Sequence, residues 1–277
     1  MRILVVGGGG REHALVHGLQ SWGHQVLCAP GNAGTGGVGG GANRPVRADD
    51  VAGLVRLAVE ETVDLVVVGP EVPLVAGLVD ALQAQGVVAF GPRRVCAELE
   101  GSKAHAKALM ARWGVVTAKS VTVNNLADGL AALDQFDGVP VVKASGLAAG
   151  KGVIVPADRA EAEAALRAMF VARTFGPAGD EVVLEERLVG TEVSVLAICS
   201  GSTYRLLVPA QDHKRLLDGD EGPNTGGMGA FAPSGTVSDE LLASVGETAI
   251  APILDGMIRE GTAYVGVLYA GIMLTDA

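Results

Sequence analysis

The stretch that decides the fold is Lys143-Ala144-Ser145-Gly146-Leu147-Ala148-Ala149-Gly150-Lys151-Gly152, led in by the apolar run from Val139 to Val142 and followed by Val153-Ile154-Val155. An apolar strand delivers one lysine, the chain enters a loop of small residues, and it leaves past a second lysine into another strand. A loop with so few side chains can lay its backbone N–H groups against a polyphosphate, with lysine charge on either side. A Walker A loop needs four residues between its glycines, then Lys-Ser or Lys-Thr, and it opens a helix. Here Leu147, Ala148 and Ala149 alone separate Gly146 from Gly150, Gly152 follows Lys151, and Val153-Ile154-Val155-Pro156 has strand character. The spacing predicts a flap that covers phosphates from between two strands, with a flexible hairpin turn as the plain alternative.

Around this loop lies a chain of 277 residues, 49% of them hydrophobic, enough for two domains or one large one with a buried core. No apolar run reaches the length expected of a membrane span. Met1 to Gly7 has the pattern of a short strand rather than of a signal peptide, since no apolar segment with a cleavage site follows. A formal charge of −10 argues against nucleic-acid partners. Cys28, Cys96 and Cys199 are far apart and read as packed, reduced thiols. The histidines have no metal-ligand spacing. These features predict a soluble cytoplasmic protein with neither a nucleic-acid nor a membrane partner.

The first hundred residues alternate strand and helix. Strands are expected at Ile3 to Val6, His24 to Cys28, Asp64 to Val68 and Val87 to Phe90, and helices at Glu12 to Ser21, Val51 to Glu61 and Leu74 to Gln85. The pattern is that of a parallel, doubly wound, Rossmann-like α/β sheet. Its ligand crevice should lie where Gly7 to His13, Pro30 to Thr35 and Gly69 to Glu71 converge, with Gly34 to Gly41 a mobile loop. A second, α+β region begins near Gly101. Ser102 caps a helix through Trp113. A strand at Val121 to Val123, a helix from Leu126 to Phe136, the strand–flap–strand unit and a helix from Arg159 to Ala172 follow. Strands are expected at Glu181 to Glu186, Glu192 to Cys199 and Tyr204 to Pro209. A long polar loop is expected from Ala210 to Ala230, a helical pattern interrupted by Pro252 from Ser238 to Arg259, and a last strand from Tyr264 to Thr275.

Three motifs carry chemistry besides the flap. Gly7-Gly8-Gly9-Gly10-Arg11-Glu12-His13 follows the first strand and opens a helix, where backbone N–H groups favour a phosphate. A dinucleotide site would want a third glycine where Glu12 stands and an acid ending the second strand, which runs Val26-Leu27-Cys28-Ala29-Pro30. A single phosphate or phosphosugar fits better than a nicotinamide nucleotide. Glu185-Glu186-Arg187-Leu188 with Glu192 can serve an adenine edge and ribose hydroxyls, although solvated glutamates have the same appearance. Gln211-Asp212-His213-Lys214-Arg215 with Gly222-Pro223-Asn224-Thr225-Gly226-Gly227-Met228-Gly229 offers an acid for an ammonium group, an arginine for a carboxylate and paired glycines for a phosphate.

Taken together, Gly9-Gly10-Arg11-Glu12-His13, Pro30-Gly31-Asn32-Ala33-Gly34-Thr35, Val68-Gly69-Pro70-Glu71, Leu99-Glu100-Gly101-Ser102-Lys103, the flap, Gln211 to Arg215 and Gly222 to Gly229 resemble the phosphoribosylamine–glycine ligase (glycinamide ribonucleotide synthetase) family of the ATP-grasp superfamily, co-linearly over essentially the whole chain. The resemblance implies a pre-ATP-grasp domain over residues 1–101 and a two-subdomain α+β ATP-grasp unit over 102–277, its flap subdomain at about 120–188. It implies that ATP, with Mg2+ or Mn2+, activates glycine as glycyl phosphate for attack by 5-phosphoribosylamine, yielding glycinamide ribonucleotide, ADP and phosphate in de novo purine biosynthesis. By the same resemblance, Lys103, Lys143, Gly146, Gly150, Lys151 and Gly152 contact the ATP phosphates, Glu185, Glu186 and Leu188 flank adenine, and Glu192 holds the ribose. Gly8, Gly9, Gly10, Arg11, Glu12, His13, Asn32, Gly34, Thr35 and Glu71 surround phosphoribosylamine. Asp212, Lys214, Arg215, Asn224, Thr225, Gly226 and Gly227 surround glycine and the transferring phosphoryl group. A monomer is implied as well.

Ser145 stands where the family commonly has Asp, and Gly8 where a polar residue is frequent. The family's metal-binding Glu and Asn are expected beyond Ala277, so no metal ligand is assigned within the chain and little ligase activity is expected of these residues alone. Other readings stay open: a different ATP-grasp carboxylate–amine ligase, a non-catalytic nucleotide-binding remnant and, last, a nicotinamide oxidoreductase.

Overall fold

Ile3, Leu4, Val5 and Val6 are each 1% exposed or less, as a strand covered on both faces requires. They form the middle of the first of two compact units in this computed structural model, which describes residues 1–37, 42–148, 151–219 and 221–275. The first unit comprises Met1–Glu98 with Thr262–Val267, the second Leu99–Gly261 with the residues from Leu268 on.

In the first unit the order is β1 (Arg2–Gly7), α1 (Gly10–Ser21), β2 (Gln25–Pro30), α2 (Ala33–Gly37), β3 (Ala42–Asn43), α3 (Val51–Glu60), β4 (Leu65–Val68), α4 (Glu71–Val75), α5 (Leu78–Ala84) and β5 (Ala89–Phe90). Among the described residues these strands form one parallel sheet in the order β3-β2-β1-β4-β5. Alternate residues of β1 serve opposite faces. Leu4 and Val6 pack with Leu54, Leu57, Leu78 and Leu82 of α3 and α5, and Ile3 and Val5 pack with Val16 of α1. The chain steps from β1 to β2 on one side and to β4 on the other, so the carboxyl ends of these three strands frame a topological switch point.

Two expectations change here. Ala33–Gly37 is a short helix rather than a mobile loop, because the Asn32 side chain accepts from the Gly34 and Thr35 N–H groups and caps its start; residues 38–41 lie outside the described residues. The helix expected over Leu74 to Gln85 is two helices, with Gly77 at φ +88 between them.

After α6 (Arg94–Gly101), the second unit opens with α7 (Lys103–Trp113), β6 (Ser120–Val123), α8 (Leu126–Ala132), β7 (Val141–Ala144), β8 (Val153–Ile154), α9 (Arg159–Phe170) and β9 (Val182–Glu185). Its antiparallel sheet has the order β6-β9-β7-β8. Val142, Ala144, Val182 and Leu184 point to a core that includes Ala132, Ala162, Leu166 and Met169 of α8 and α9. Register puts Val141 opposite Glu185 and Lys143 opposite Val183, so Lys143 and Glu185 share the other face.

The rest comprises β10 (Thr191–Ser200), β11 (Thr203–Leu206), β12 (Gln211–Leu217), β13 (Glu221–Phe231), α10 (Asp239–Val245), α11 (Ala251–Arg259) and β14 (Val265–Leu274). Among the described residues, β11-β10-β14 make a second sheet and β12 pairs with β13. The segment expected as a polar loop is therefore an antiparallel hairpin. Gly219, in the turn that follows β12, takes φ +71, a conformation glycine adopts without steric cost. Pro252 does not interrupt the helical run. It lies in the first turn of α11, after a π turn at Gly246–Ile250, where its missing N–H perturbs the ladder without ending it. Against expectation, Asp239–Arg259 does reach the length and mean hydropathy of a membrane span, 21 residues at 1.4. Its Val245, Ile250, Ile253, Leu254 and Met257 are buried within the protein.

Candidate functional site

At the carboxyl end of β1, Gly8, Gly9 and Gly10 are exposed at the N-terminus of α1, where N–H groups that the helix itself does not use and the helix dipole suit an anion. Buried side chains hold that backbone in place. The Glu12 carboxylate, 5% exposed, accepts from the Gly9 N–H at 2.6 Å. Asn32 donates from Nδ2 to the Gly8 carbonyl at 3.0 Å and lies 3.3 Å from that of Gly9. Thr35, fully buried, accepts from the Asn32 N–H at 2.7 Å and stands 2.8 Å from Asn43 Oδ1. On the open side, Arg11 donates to the Gly69 carbonyl at 2.6 Å and pairs with Glu71 at 3.1 Å. The ring of His13 lies close against Gly34, whose position would not admit a Cβ.

In the second unit, the face of β7 and β9 that carries Lys143 and Glu185 gathers charge. Glu185 pairs through Oε1 with Lys143 and through Oε2 with Lys107 of α7, at 2.6 Å. Burial works to raise the Glu185 pKa, but the lysines, Lys143 foremost, override it and leave it lowered. Lys103, at the start of α7, donates from Nζ to the Gly146 carbonyl at 3.4 Å. Its pKa is lowered, first by burial and further by Lys143, against the opposing pull of Glu100. Lys107 and Lys143 flank the Glu185 carboxylate and Lys103 stands close enough to Lys143 to feel its charge, so the three lysines outnumber Glu185 and Glu100, which suits a polyphosphate.

The flap is tied to this cluster at its base. Val142 pairs with Ile154 and Lys143 with Val153, so the loop does run between two antiparallel strands. Ser145 is 3% exposed; its Oγ accepts from Ala104 N–H at 3.1 Å, stands 3.1 Å from Ser102 Oγ and donates to Glu181 at 3.0 Å. Its carbonyl accepts from the Lys103 N–H at 2.8 Å. One small side chain thus joins the start of the flap to the start of the helix that presents Lys103 and Lys107. Gly146 follows with its N–H on the Ala178 carbonyl at 3.0 Å, too close to Ala178 for a side chain. Lys151 is exposed and Gly152 buried; Gly150, with Ala149, lies outside the described residues.

The hairpin carries a further polar group. Lys214 pairs with Glu192 of β10 and lies 3.5 Å from Asp212. Burial would lower the Lys214 pKa, yet the hydrogen bond and charge of Glu192 leave it raised. Arg215 donates to the Gly222 carbonyl at 2.7 Å. The step from His213 to Arg215 faces the longer step from Gly229 to Asn224, so the strand bulges between them. Within the bulge Thr225 donates to the Lys214 carbonyl at 2.9 Å and accepts from the Gly227 N–H at 3.0 Å. The side-chain surroundings of Asn224 and Gly226 lie outside the described residues.

The predicted residues therefore fall into three groups. Gly8 to His13, Asn32, Gly34, Thr35 and Glu71 come together in the first unit, with Glu12 and Thr35 turned inward as supports. Lys103, Lys143, Gly146 and Glu185 come together in the second. Glu192 joins Asp212 and Lys214 in the third group, while Glu186 and Leu188 are exposed just after β9. Lys107, Glu181 and Asn43 were not anticipated. The spacing of Lys103 and Lys107, one helical turn apart on a helix capped by Ser102, could have pointed to Lys107.

Residues 1–100 match the family described as Phosphoribosylglycinamide synthetase, N domain, and residues 101–277 match Phosphoribosylglycinamide synthetase, ATP-grasp (A) domain. The trifunctional purine biosynthetic protein adenosine-3 of Gallus gallus is 51% identical over 99% of this chain and 28% of its own length. The phosphoribosylamine–glycine ligase of Xylella fastidiosa (strain Temecula1) is 48% identical over 99% of this chain and 64% of its own. The crystal structure of phosphoribosylamine–glycine ligase from Thermotoga maritima superposes with a TM-score of 0.85 at 32% identity, covering 100% of this chain and 66% of that one. The chain thus spans less than two thirds of the length of these two curated relatives. With both of its units matched in sequence and its course matched in three dimensions, the chain belongs to the phosphoribosylglycinamide synthetase family, an N domain followed by an ATP-grasp domain.

Proposed function

We propose that this chain supplies the phosphoribosylamine-binding and ATP-binding parts of an ATP-dependent phosphoribosylamine–glycine ligase. The observation that carries the proposal is the pairing of Lys107 and Lys143 with one carboxylate, with Lys103 beside Lys143 and on the Gly146 carbonyl, at the base of a small-residue flap. A carboxylate is a poor electrophile, so amide formation needs activation. A glycine carboxylate oxygen attacks the γ-phosphorus of ATP and ADP leaves. The amine of 5-phosphoribosylamine then attacks the glycyl carbonyl carbon, the amine loses a proton, and phosphate departs with the C–O electron pair. Glycinamide ribonucleotide is the product.

The protein contributes position and charge rather than a nucleophile. Lys103 and Lys143 neutralise the phosphates, and Gly146, Lys151 and Gly152 of the flap cover them. Glu185 to Leu188 flank adenine. Glu192 takes the ribose hydroxyls and must share its carboxylate with Lys214 to do so. Asp212 receives the glycine ammonium group, Arg215 its carboxylate, and the bulge at Thr225 and Gly227 the transferring phosphoryl group. Gly8 to Gly10 at the start of α1 receive the 5-phosphate, with Arg11, His13, Asn32 and Glu71 around the sugar. Among the described residues no group of three or more His, Cys, Asp or Glu side chains stands together. A cytoplasmic setting fits three buried free thiols, and a monomer is the simplest form.

ADP release by an intact ligase that carries this chain, measured with each substrate omitted in turn, tests the proposal. Release that requires glycine and phosphoribosylamine together is expected. Release at an unchanged rate without glycine would overturn it.

A further inference from the structure

We propose that Lys107 is a positioning residue of the nucleotide site: through Glu185 it fixes where the Lys143 ammonium group stands. The proposal rests on the nucleotide reading of the lysine cluster and assigns a role to a side chain that has no ligand of its own.

The three N–H donors of Lys107 Nζ are matched by three acceptors, Thr117 Oγ1 at 2.7 Å, the Ala118 carbonyl at 3.1 Å and Glu185 Oε2 at 2.6 Å. No donor remains to reach a phosphate. The side chain is 14% exposed, against 15% for Glu185 and 23% for Lys143. Lys143 differs: among the described residues its ammonium group bonds to Glu185 Oε1, which leaves donors for a ligand. Glu185 is therefore divided, one oxygen to each lysine.

The division has two consequences. A carboxylate held at one oxygen from α7 cannot swing, so the other oxygen sets the direction of the Lys143 side chain. A carboxylate already neutralised by Lys107 also binds Lys143 less tightly, so Lys143 is free to meet a phosphate. Without the Lys107 charge, Lys143 becomes the sole counter-ion of a largely buried carboxylate, and breaking that pair for a nucleotide costs more. The register makes the arrangement possible: β7 and β9 present Lys143 and Glu185 on the same face, and the turn of α7 beyond Lys103 brings Lys107 to the far oxygen.

The test is a calorimetric ATP titration of the wild-type chain and of Lys107→Met, Lys107→Arg, Lys143→Met and the Lys107→Met/Lys143→Met double variant, each checked for folding by its melting temperature. Lys107→Met is expected to weaken ATP by about tenfold, the scale of one charge-assisted hydrogen bond, and Lys107→Arg to restore most of it. On the Lys143→Met background the second substitution should have no further effect, because Lys107 acts through Lys143. A merely structural role would subtract equally from both backgrounds, and that result overturns the proposal, as does an unchanged affinity in Lys107→Met. If Lys107→Met does not fold, Lys107→Gln, which keeps an N–H donor but not the charge, carries the same expectation. Wild-type chain that binds no ATP would instead overturn the nucleotide reading of the cluster, and the proposal with it.

Discussion

The glycine loop of the first unit and the lysine cluster of the second both suit phosphate, but they are built from opposite materials. The loop offers backbone N–H groups at a helix start, and its ionisable Glu12 is buried beneath as a brace. The cluster offers side-chain ammonium groups, and its ionisable Glu185 stands among them as a shared counter-ion. A backbone site is set by whatever holds the backbone, so its sensitive residues lie behind it. A side-chain site is set by charge balance, so its sensitive residues lie within it.

The largest expected effect is in the cluster. Lys143→Met should weaken ATP by roughly 100-fold, from loss of a charged donor in a half-buried site, and leave binding of ribose 5-phosphate, a stable probe for the loop, unchanged by calorimetry. Next comes the brace. Glu12→Ala orphans the Gly9 N–H and should lower unfolding stability by about 1–3 kcal/mol in urea titrations, abolish ribose 5-phosphate binding and spare ATP. A loss of ATP binding in Glu12→Ala would break the contrast. Ser145→Ala, at the joint between flap and α7, should cost about 1 kcal/mol of stability and weaken ATP a few-fold, read from the same two experiments.

The smallest effect is one in which the two units should agree. Burial pushes the thiols of Cys96, in the first unit, and Cys199, in the second, up to about 11 from an ordinary 9.0. Each thiol holds its proton more tightly in the fold. The stabilisation is complete below pH 9 and is lost as pH rises towards 11. Melting temperatures across that window should fall, and fall less steeply in Cys96→Ala and in Cys199→Ala.

Much of this was legible in the residues. The continuous apolar run at Ile3 to Val6 marked a doubly covered strand, Ser102 marked a helix start, and the spacing around Gly146 separated a flap from a P-loop. What escaped had physical reasons. Gln211 to Phe231 is too polar and too bulged to show an alternating strand pattern, and its register depends on the turn at Asp218-Gly219. Glu12 and Thr35 belong to types that usually face water, and their burial follows from hydrogen bonds to the loops packed around them. Lys107, taken alone on a helix, has the appearance of a solvated residue; its partner Glu185 is distant in sequence and meets it through the sheet.

The most direct test of the central claim is ATP titration of the wild-type chain beside Lys143→Met and Glu12→Ala. Saturable binding that survives in Glu12→Ala and weakens by about 100-fold in Lys143→Met is the expected result. ATP bound as tightly by Lys143→Met as by the wild type would contradict it.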